Sequence, residues 1–381
     1  MSLTTAQREL DTRICETIDK VSPTERFQRL DAARQFDHAL HAALGELGLW
    51  GLGVPAERGG SGGDTVDQMI ALRALGHRAT SMGMLGVVTY LCTRILDANA
   101  TEAQREKFVR PLLRGTLKAS FCLTESQGGT DILRLMTTSA SRVGSGYVLR
   151  GSKSWICGVS LSDFYIVVAR TAPGKTDGVS MFLVPRGASG VSVRRQESFA
   201  VNGYDVGEIV FDDVEIETNG LLGTEGKGFR QLVAMLNAER LSAAANALGM
   251  AQGALKIAAD YARDRVAFGK RLSELQAVQH KLANAALAYE LGWTYLLAAA
   301  QANDRGEGIE IASSMAKLAA VAAAQQAADI GMEILGASAF DLGSPMQRYY
   351  RDHRLYVIAP INNDMTRSLL AERYFNFGRG F

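Results

Sequence analysis

The stretch Phe121-Cys122-Leu123-Thr124-Glu125-Ser126-Gln127-Gly128-Gly129-Thr130-Asp131 marks the place where this 381-residue chain changes character. It joins a short apolar run to an acidic, hydroxyl-bearing turn that contains glycine. Before it the pattern is helical; after it come short strand-like runs. Such a loop offers backbone N–H groups and the Thr124 and Thr130 hydroxyls to polar atoms of a ligand, with Gly128 and Gly129 allowing close approach. Taken alone, it also reads as an ordinary turn at a domain boundary.

Upstream, residues 36–47 carry apolar side chains at helical spacing and stop at a loop rich in glycine (Gly51, Gly53, Gly59, Gly60, Gly62, Gly63). Asp64 or Thr65 is expected to cap a second helix through Met69 and Leu75, and residues 102–113 form a further amphipathic segment. Downstream, residues 146–151, 164–169, 179–184, 191–193 and 208–211 are expected as strands of a compact antiparallel domain. From Gly226 onward strand signals vanish. Residues 228–265, 276–303 and 309–335 are helical, and their alanine content suits close packing in a four-helix bundle. The fold class is therefore α+β: an N-terminal helical domain over 1–117, a middle β-barrel domain over 118–225 and a C-terminal helical bundle over 226–381.

Lys and Arg total 41 against 40 for Asp and Glu, a net charge of +1. That balance gives no general attraction to nucleic acid or an anionic membrane. Cys15, Cys92, Cys122 and Cys157 show no CxxC pairing and no histidine at metal-ligand spacing, so no metal site is expected and the usage suits the cytoplasm. The densest apolar stretch, residues 84–92, is too short to span a bilayer.

On this α-β-α background four motifs occur in order. Leu123-Thr124-Glu125 with Gly129-Thr130-Asp131 is similar to the Leu-Thr-Glu-x-x-x-Gly-Ser-Asp of the acyl-CoA dehydrogenase family. Lys153-Ser154-Trp155-Ile156-Cys157 resembles its Lys-x-Trp-Ile-Thr, Arg265-Val266-Ala267-Phe268-Gly269 with Gln276 resembles its Arg-x-x-Phe-Gly…Gln, and Tyr350-Arg351-Asp352 its Tyr-Arg-Asp. The resemblance implies FAD held between the middle and C-terminal domains, a homotetramer in which a neighbouring subunit helps bind each flavin, and oxidation of an acyl-CoA or carrier-protein thioester. It also implies an electron-transferring flavoprotein as partner.

By the same resemblance, Phe121, Leu123, Thr124, Gly129, Trp155 and Cys157 contact the flavin side, and Thr130 lies near the pyrophosphate and the substrate thioester. Arg265, Phe268, Gln276, Glu333 and Gly336 contact its pyrophosphate and adenosine side. Cys157 departs from the family Thr or Ser that bonds flavin N5, and a thiol is the weaker hydrogen-bonding group. Glu333 replaces a Gln, and a carboxylate near a pyrophosphate must turn away or pair, with an arginine for example.

Removing an α-proton needs a carboxylate in a dry pocket. The position that usually carries it, counted from Arg351-Asp352, holds Pro360, which cannot accept a proton. The isovaleryl-CoA dehydrogenase type places the base in a Leu-x-x-Glu-Arg sequence, and Leu236-Asn237-Ala238-Glu239-Arg240 matches it. Glu239 is thus the expected base, with Arg240 assisting the site or the CoA moiety. Asp364 is a weaker candidate, expected to cap the last helix in competition with Asn362 or Asn363. The rival readings keep fold and flavin but change the chemistry (a reductase, a desulfinase-like lyase, a monooxygenase), or make the chain a non-catalytic subunit.

Overall fold

The computed structural model describes residues 3–174 and 176–378. Helices α1 (Thr5–Val21), α2 (Thr24–Ala32), α3 (His38–Glu46), α4 (Thr65–Arg78) and α5 (Thr80–Asn99) come first. Asp64 caps α4: its carboxylate accepts from Asp67 N at 2.9 Å, and Asp67 accepts in return from Asp64 N at 3.1 Å, which satisfies donors at a helix start. The apolar stretch 84–92 lies in α5, buried on nearly every face, as its all-round hydrophobicity requires. Residues 102–113 do not form one helix. A π-helical turn, Arg105–Val109, separates Glu102–Gln104 from Arg110–Leu113. Pro111 has no N–H to return to the carbonyl four residues back, so the ladder changes register there.

The middle of the chain builds one eight-stranded sheet from β1 (Ala119–Cys122), β2 (Ser139–Val143), β3 (Gly146–Cys157), β4 (Phe164–Arg170), β5 (Val179–Pro185), β6 (Val191–Gln196), β7 (Val206–Ile216) and β8 (Leu221–Leu222). Its order is β6-β7-β3-β2-β4-β5-β8, with β1 on β4. Most pairs are antiparallel, but β1 runs parallel to β4, which corrects the purely antiparallel expectation. A parallel pair needs a long crossover, and residues 123–163 supply it. β4 and β5 are buried on both faces, so they read as continuous apolar runs.

The longer helices after the sheet are α6 (Gly228–Asp264), α7 (Gln276–Asp304), α8 (Glu310–Leu335), α9 (Pro345–Asp352) and α10 (Asn363–Phe375). Helix α6 packs against α4, α5, α7 and α8. Small residues make this possible: a Cβ on Gly249 would fall 2.2 Å from the Arg73 carbonyl oxygen of α4. The cap of α10 is Asn362, whose Oδ1 accepts from Met365 N at 2.8 Å; Asp364 instead sits in the first turn and pairs with Arg367 at 2.7 Å. Asn362 wins because its extended backbone leaves its amide oxygen over the free N–H groups. Among the described residues no helix is long and apolar enough to cross a membrane.

Asp352 joins the three parts. It is 0% exposed and accepts from Thr80 Oγ1 of α5 at 2.5 Å, from Val201 N of the β6–β7 connection at 2.8 Å and from Arg351 Nε at 3.0 Å. Arg351 also pairs with Asp31 of α2. Burial nevertheless leaves the Asp352 carboxyl above its ordinary range. Asp352→Asn replaces an acceptor-only group with one that brings its own donors, so at least one buried partner loses its bond. A loss of about 3–5 kcal/mol is expected, read as a lower urea midpoint than wild type.

Candidate active site

The loop after β1 is held to β3 by a buried ion pair. Lys153 Nζ donates to Glu125 Oε1 at 2.9 Å and to the Leu123 carbonyl oxygen at 2.9 Å, with both side chains essentially unexposed. Glu125 also accepts from Thr137 N at 2.8 Å and Thr138 N at 3.1 Å. Burial raises the Glu125 carboxyl, but Lys153 and these donors outweigh it and bring it down to about 2. Ser154 N then donates to the Thr124 carbonyl oxygen at 2.9 Å, setting Thr124 beside the end of β3.

At that end the β3–β7 register shifts between Lys153 and Ile156, and Trp155 takes φ = 60°. Left-handed backbone is costly for a bulky residue, on the order of 1–3 kcal/mol, and here the buried neighbours Ser154 and Ile156 hold it. The consequence is an indole presented outward, 60% exposed. Gly129 is exposed, with open space where a Cβ would stand. Phe121, Leu123 and Thr124 are half-buried. A flat conjugated ligand such as FAD fits this arrangement, stacked by an indole and approached closely by a glycine loop.

Cys157 lies one strand step further in. Burial first, then the charges of Asp205 and Glu239, push its thiol up to about 12. Glu239, from α6, is thus near Cys157. Its carboxyl is pushed up to about 7 by burial, against the pull of Arg94 and Arg240. Arg240 is buried, bonds Asn237 Oδ1 at 2.6 Å and leaves its Nε without a partner. The turn that follows α9 closes the other side: Asn362 Nδ2 donates to Thr130 Oγ1 at 3.2 Å, and Lys317 Nζ of α8 donates to the Ile361 carbonyl oxygen at 2.8 Å. Pro360 lies two residues before Asn362 in this turn.

The other expected residues are not brought here. Arg265 ends α6, Phe268 is 98% exposed in the short hairpin that follows, and Gln276 starts α7. Glu333 is exposed near the end of α8 and Gly336 follows it. Glu333 pairs with Lys281 of α7, a lysine where an arginine was the example expected, because residues 281 and 333 face each other across the α7–α8 contact. From Glu239 to Arg265 the helix rises about 39 Å. Reasoning from sequence assigned no role to Glu125, Lys153 or Arg94. For Arg94 a signal existed: it is a lone charge just past the apolar run of 84–92.

Residues 4–116, 120–214 and 226–375 match the family models for the N-terminal, middle and C-terminal domains of acyl-CoA dehydrogenase. An acyl-CoA dehydrogenase of Bacillus subtilis is 33% identical over 346 residues, covering 90% of this chain and 91% of that protein. The mitochondrial short-chain specific acyl-CoA dehydrogenase of Bos taurus is 32% identical over 346 residues, covering 90% and 84%. The solved structure of butyryl-CoA dehydrogenase from Megasphaera elsdenii superposes with a TM-score of 0.94 at 28% identity, covering 98% of this chain and 99% of that one.

The Glu125–Lys153 pair sets an acid-side expectation. A carboxyl lowered in the folded state contributes stability that is full above its ordinary pKa and lost as pH falls through the folded value. The window runs from about 4.5 down to about 2. Glu125→Gln strands the buried lysine and is expected to cost about 3–5 kcal/mol at pH 7. Thermal melts across that window should show wild type losing its advantage over the variant as pH falls.

Proposed function

Because the chain belongs to the acyl-CoA dehydrogenase family, we propose that it is an FAD-dependent enzyme that oxidises an acyl-CoA thioester to its α,β-enoyl form, with Glu239 as the base. One observation carries this reading. Burial pushes the Glu239 carboxyl up to about 7, against the charges of Arg94 and Arg240, while the usual base position, counted from Arg351-Asp352, holds Pro360. A base poised near neutrality combines enough ionised form with enough proton affinity to take an α-proton.

FAD supplies the acceptor for the hydride that leaves the β-carbon. Thr124 and Thr130 orient it with their hydroxyls, Trp155 covers it, and Cys157 stands where it adjusts the flavin's reactivity. Phe121, Leu123 and Gly129 complete the wall. Glu239 takes the α-proton onto a carboxylate oxygen, and Arg240, with one N–H free, binds an oxygen of the substrate. Arg265, Phe268, Gln276 and Gly336 serve the cofactor of a neighbouring copy. They lie too far from Glu239 to serve their own, and the Lys281 pairing of Glu333 removes its repulsion from a pyrophosphate. A homotetramer passing electrons to an electron-transferring flavoprotein follows from the family, as do the domain limits near 117 and 225. The free cysteines suit the cytoplasm.

Glu239→Gln should retain flavin yet lose anaerobic bleaching by acyl-CoA, by about 10³-fold in rate. In wild type the active form is the carboxylate, so the bleaching rate should climb with pH to a plateau above about 7. Equal bleaching by variant and wild type would place the base elsewhere.

A further inference from the structure

Arg94 lies in α5 with two neutral partners. Its Nη1 donates to Ser242 Oγ at 3.2 Å, and its Nη2 donates to Gln68 Oε1 of α4. Gln68 is fixed in turn by donating from Nε2 to the Leu52 carbonyl oxygen at 2.6 Å, and Ser242 by donating to the Ala238 carbonyl oxygen at 3.1 Å. Ser242 stands three residues after Glu239, hence on the same face of α6. No carboxylate bonds the guanidinium among the described residues. Arg94 is itself half-buried, its flanks, Tyr90-Leu91-Cys92 and Ile95-Leu96, are buried, and a cation withdrawn from water without a bonded counter-ion is costly. An apolar side chain would fill such a place at less cost if packing were its only role.

The charged and titratable groups around Arg94 and Glu239 are few. On α5 these are Tyr90 and Cys92, on β3 Cys157, on α6 Glu239 and Arg240, and at the end of α7 Asp304. From α8, Glu310 and Lys317 act on Arg240. On α4, Gln68 is neutral, and Arg73 and His77 pack beside Gly249, about 15 Å along α6 from Glu239. Of the two carboxylates that act on Arg94, Glu239 comes before Asp304, and Arg94 is the leading charge that favours the ionised form of Glu239.

We propose that Arg94 is a positioning residue of the reaction: its guanidinium, moored to Gln68 and Ser242, faces Glu239 and holds that side chain as the proton-accepting carboxylate. The inference rests on reading Glu239 as the base. When Glu239 takes the α-proton its charge disappears, and the cationic pocket of Arg94 and Arg240 then faces the negative charge left on the substrate. The same cation that keeps the base ionised beforehand stabilises the enolate afterwards.

The test is an infrared titration of the holoenzyme labelled with ¹³C-carboxyl glutamate, with Glu239→Gln assigning the band of residue 239. Arg94→Gln is expected to raise the midpoint of that band by about 1–2 pH units, and Arg94→Lys to restore it. An unchanged midpoint in Arg94→Gln overturns the proposal. Stopped-flow bleaching by acyl-CoA gives the second readout: its acid limb should move up by the same interval, with the rate recovering at high pH. A uniform loss of rate at every pH, with the limb unmoved, is the signature of a merely structural residue and also overturns it. If the infrared midpoint moves while the limb in wild type tracks a different group, Glu239 is not the base and the coupling to Arg94 stands alone. Should Arg94→Gln fail to fold, Ser242→Ala removes one mooring and is expected to raise the midpoint by a smaller step; no step there overturns the proposal.

Discussion

The buried carboxylate of Asp352 is the constraint on which the rest of the structure depends. It takes one bond from α5, one from the β6–β7 connection and one from its own helix, so a helical domain, a sheet and a helical bundle meet at a single side chain. The proposed active site needs that meeting. Thr124, Trp155 and Cys157 come from the sheet, Arg94 from α5, and Glu239 from α6. A second tie lies nearby: Asn246 of α6 donates to Tyr356 Oη at 2.6 Å, and Tyr356 Oη donates in turn to Met84 Sδ of α5 at 3.6 Å. Both ties are buried, so small domain movements would leave polar groups without partners, and the cost of that is what fixes the cleft.

Two glutamates show how environment divides roles. Glu125 and Glu239 are both desolvated, and in each desolvation is the largest influence on the carboxyl. Glu125 accepts from a lysine and from backbone N–H groups, which hold it ionised and inert. Glu239 feels two arginines, neither of which bonds it among the described residues, and its carboxyl rests near neutrality. The difference is direct hydrogen bonding to the charged form against charge felt at a distance. A structural acid and the proposed base therefore occur within one fold without any difference in residue type.

The legible part of the chain was the part written in local pattern. The cap at Asp64, the burial of β4 and β5 and the alanine-rich α6 all follow from periodicity and residue type. Failures came where a partner distant in sequence decides. Nothing local to residues 119–122 shows that β1 will lie parallel to β4. Ser139-Ala140-Ser141-Arg142-Val143 has too little apolar character to announce β2, which forms because β3 turns back on it. Lys153 and Glu125 could be read as motif letters but not as a buried pair, and Arg94 could be placed on a helix but not against α6.

The length of α6 has a further consequence for assembly. One end carries Glu239 into the cleft; the other, about 39 Å away, carries Arg265 to a hairpin on which Val266 and Phe268 stand exposed. Leu287 and Leu291, one turn apart on α7, are also exposed at 58% and 63%, and an apolar stripe of this kind is an expensive surface to leave in water. A cation at one end of a helix cannot reach a cofactor bound at the other. On the proposed function both ends serve the same kind of ligand and therefore different copies of it, with the apolar stripe as the proposed surface across which those copies meet. A single chain then holds half of one cofactor site and half of another, which makes association a condition of binding rather than an addition to it.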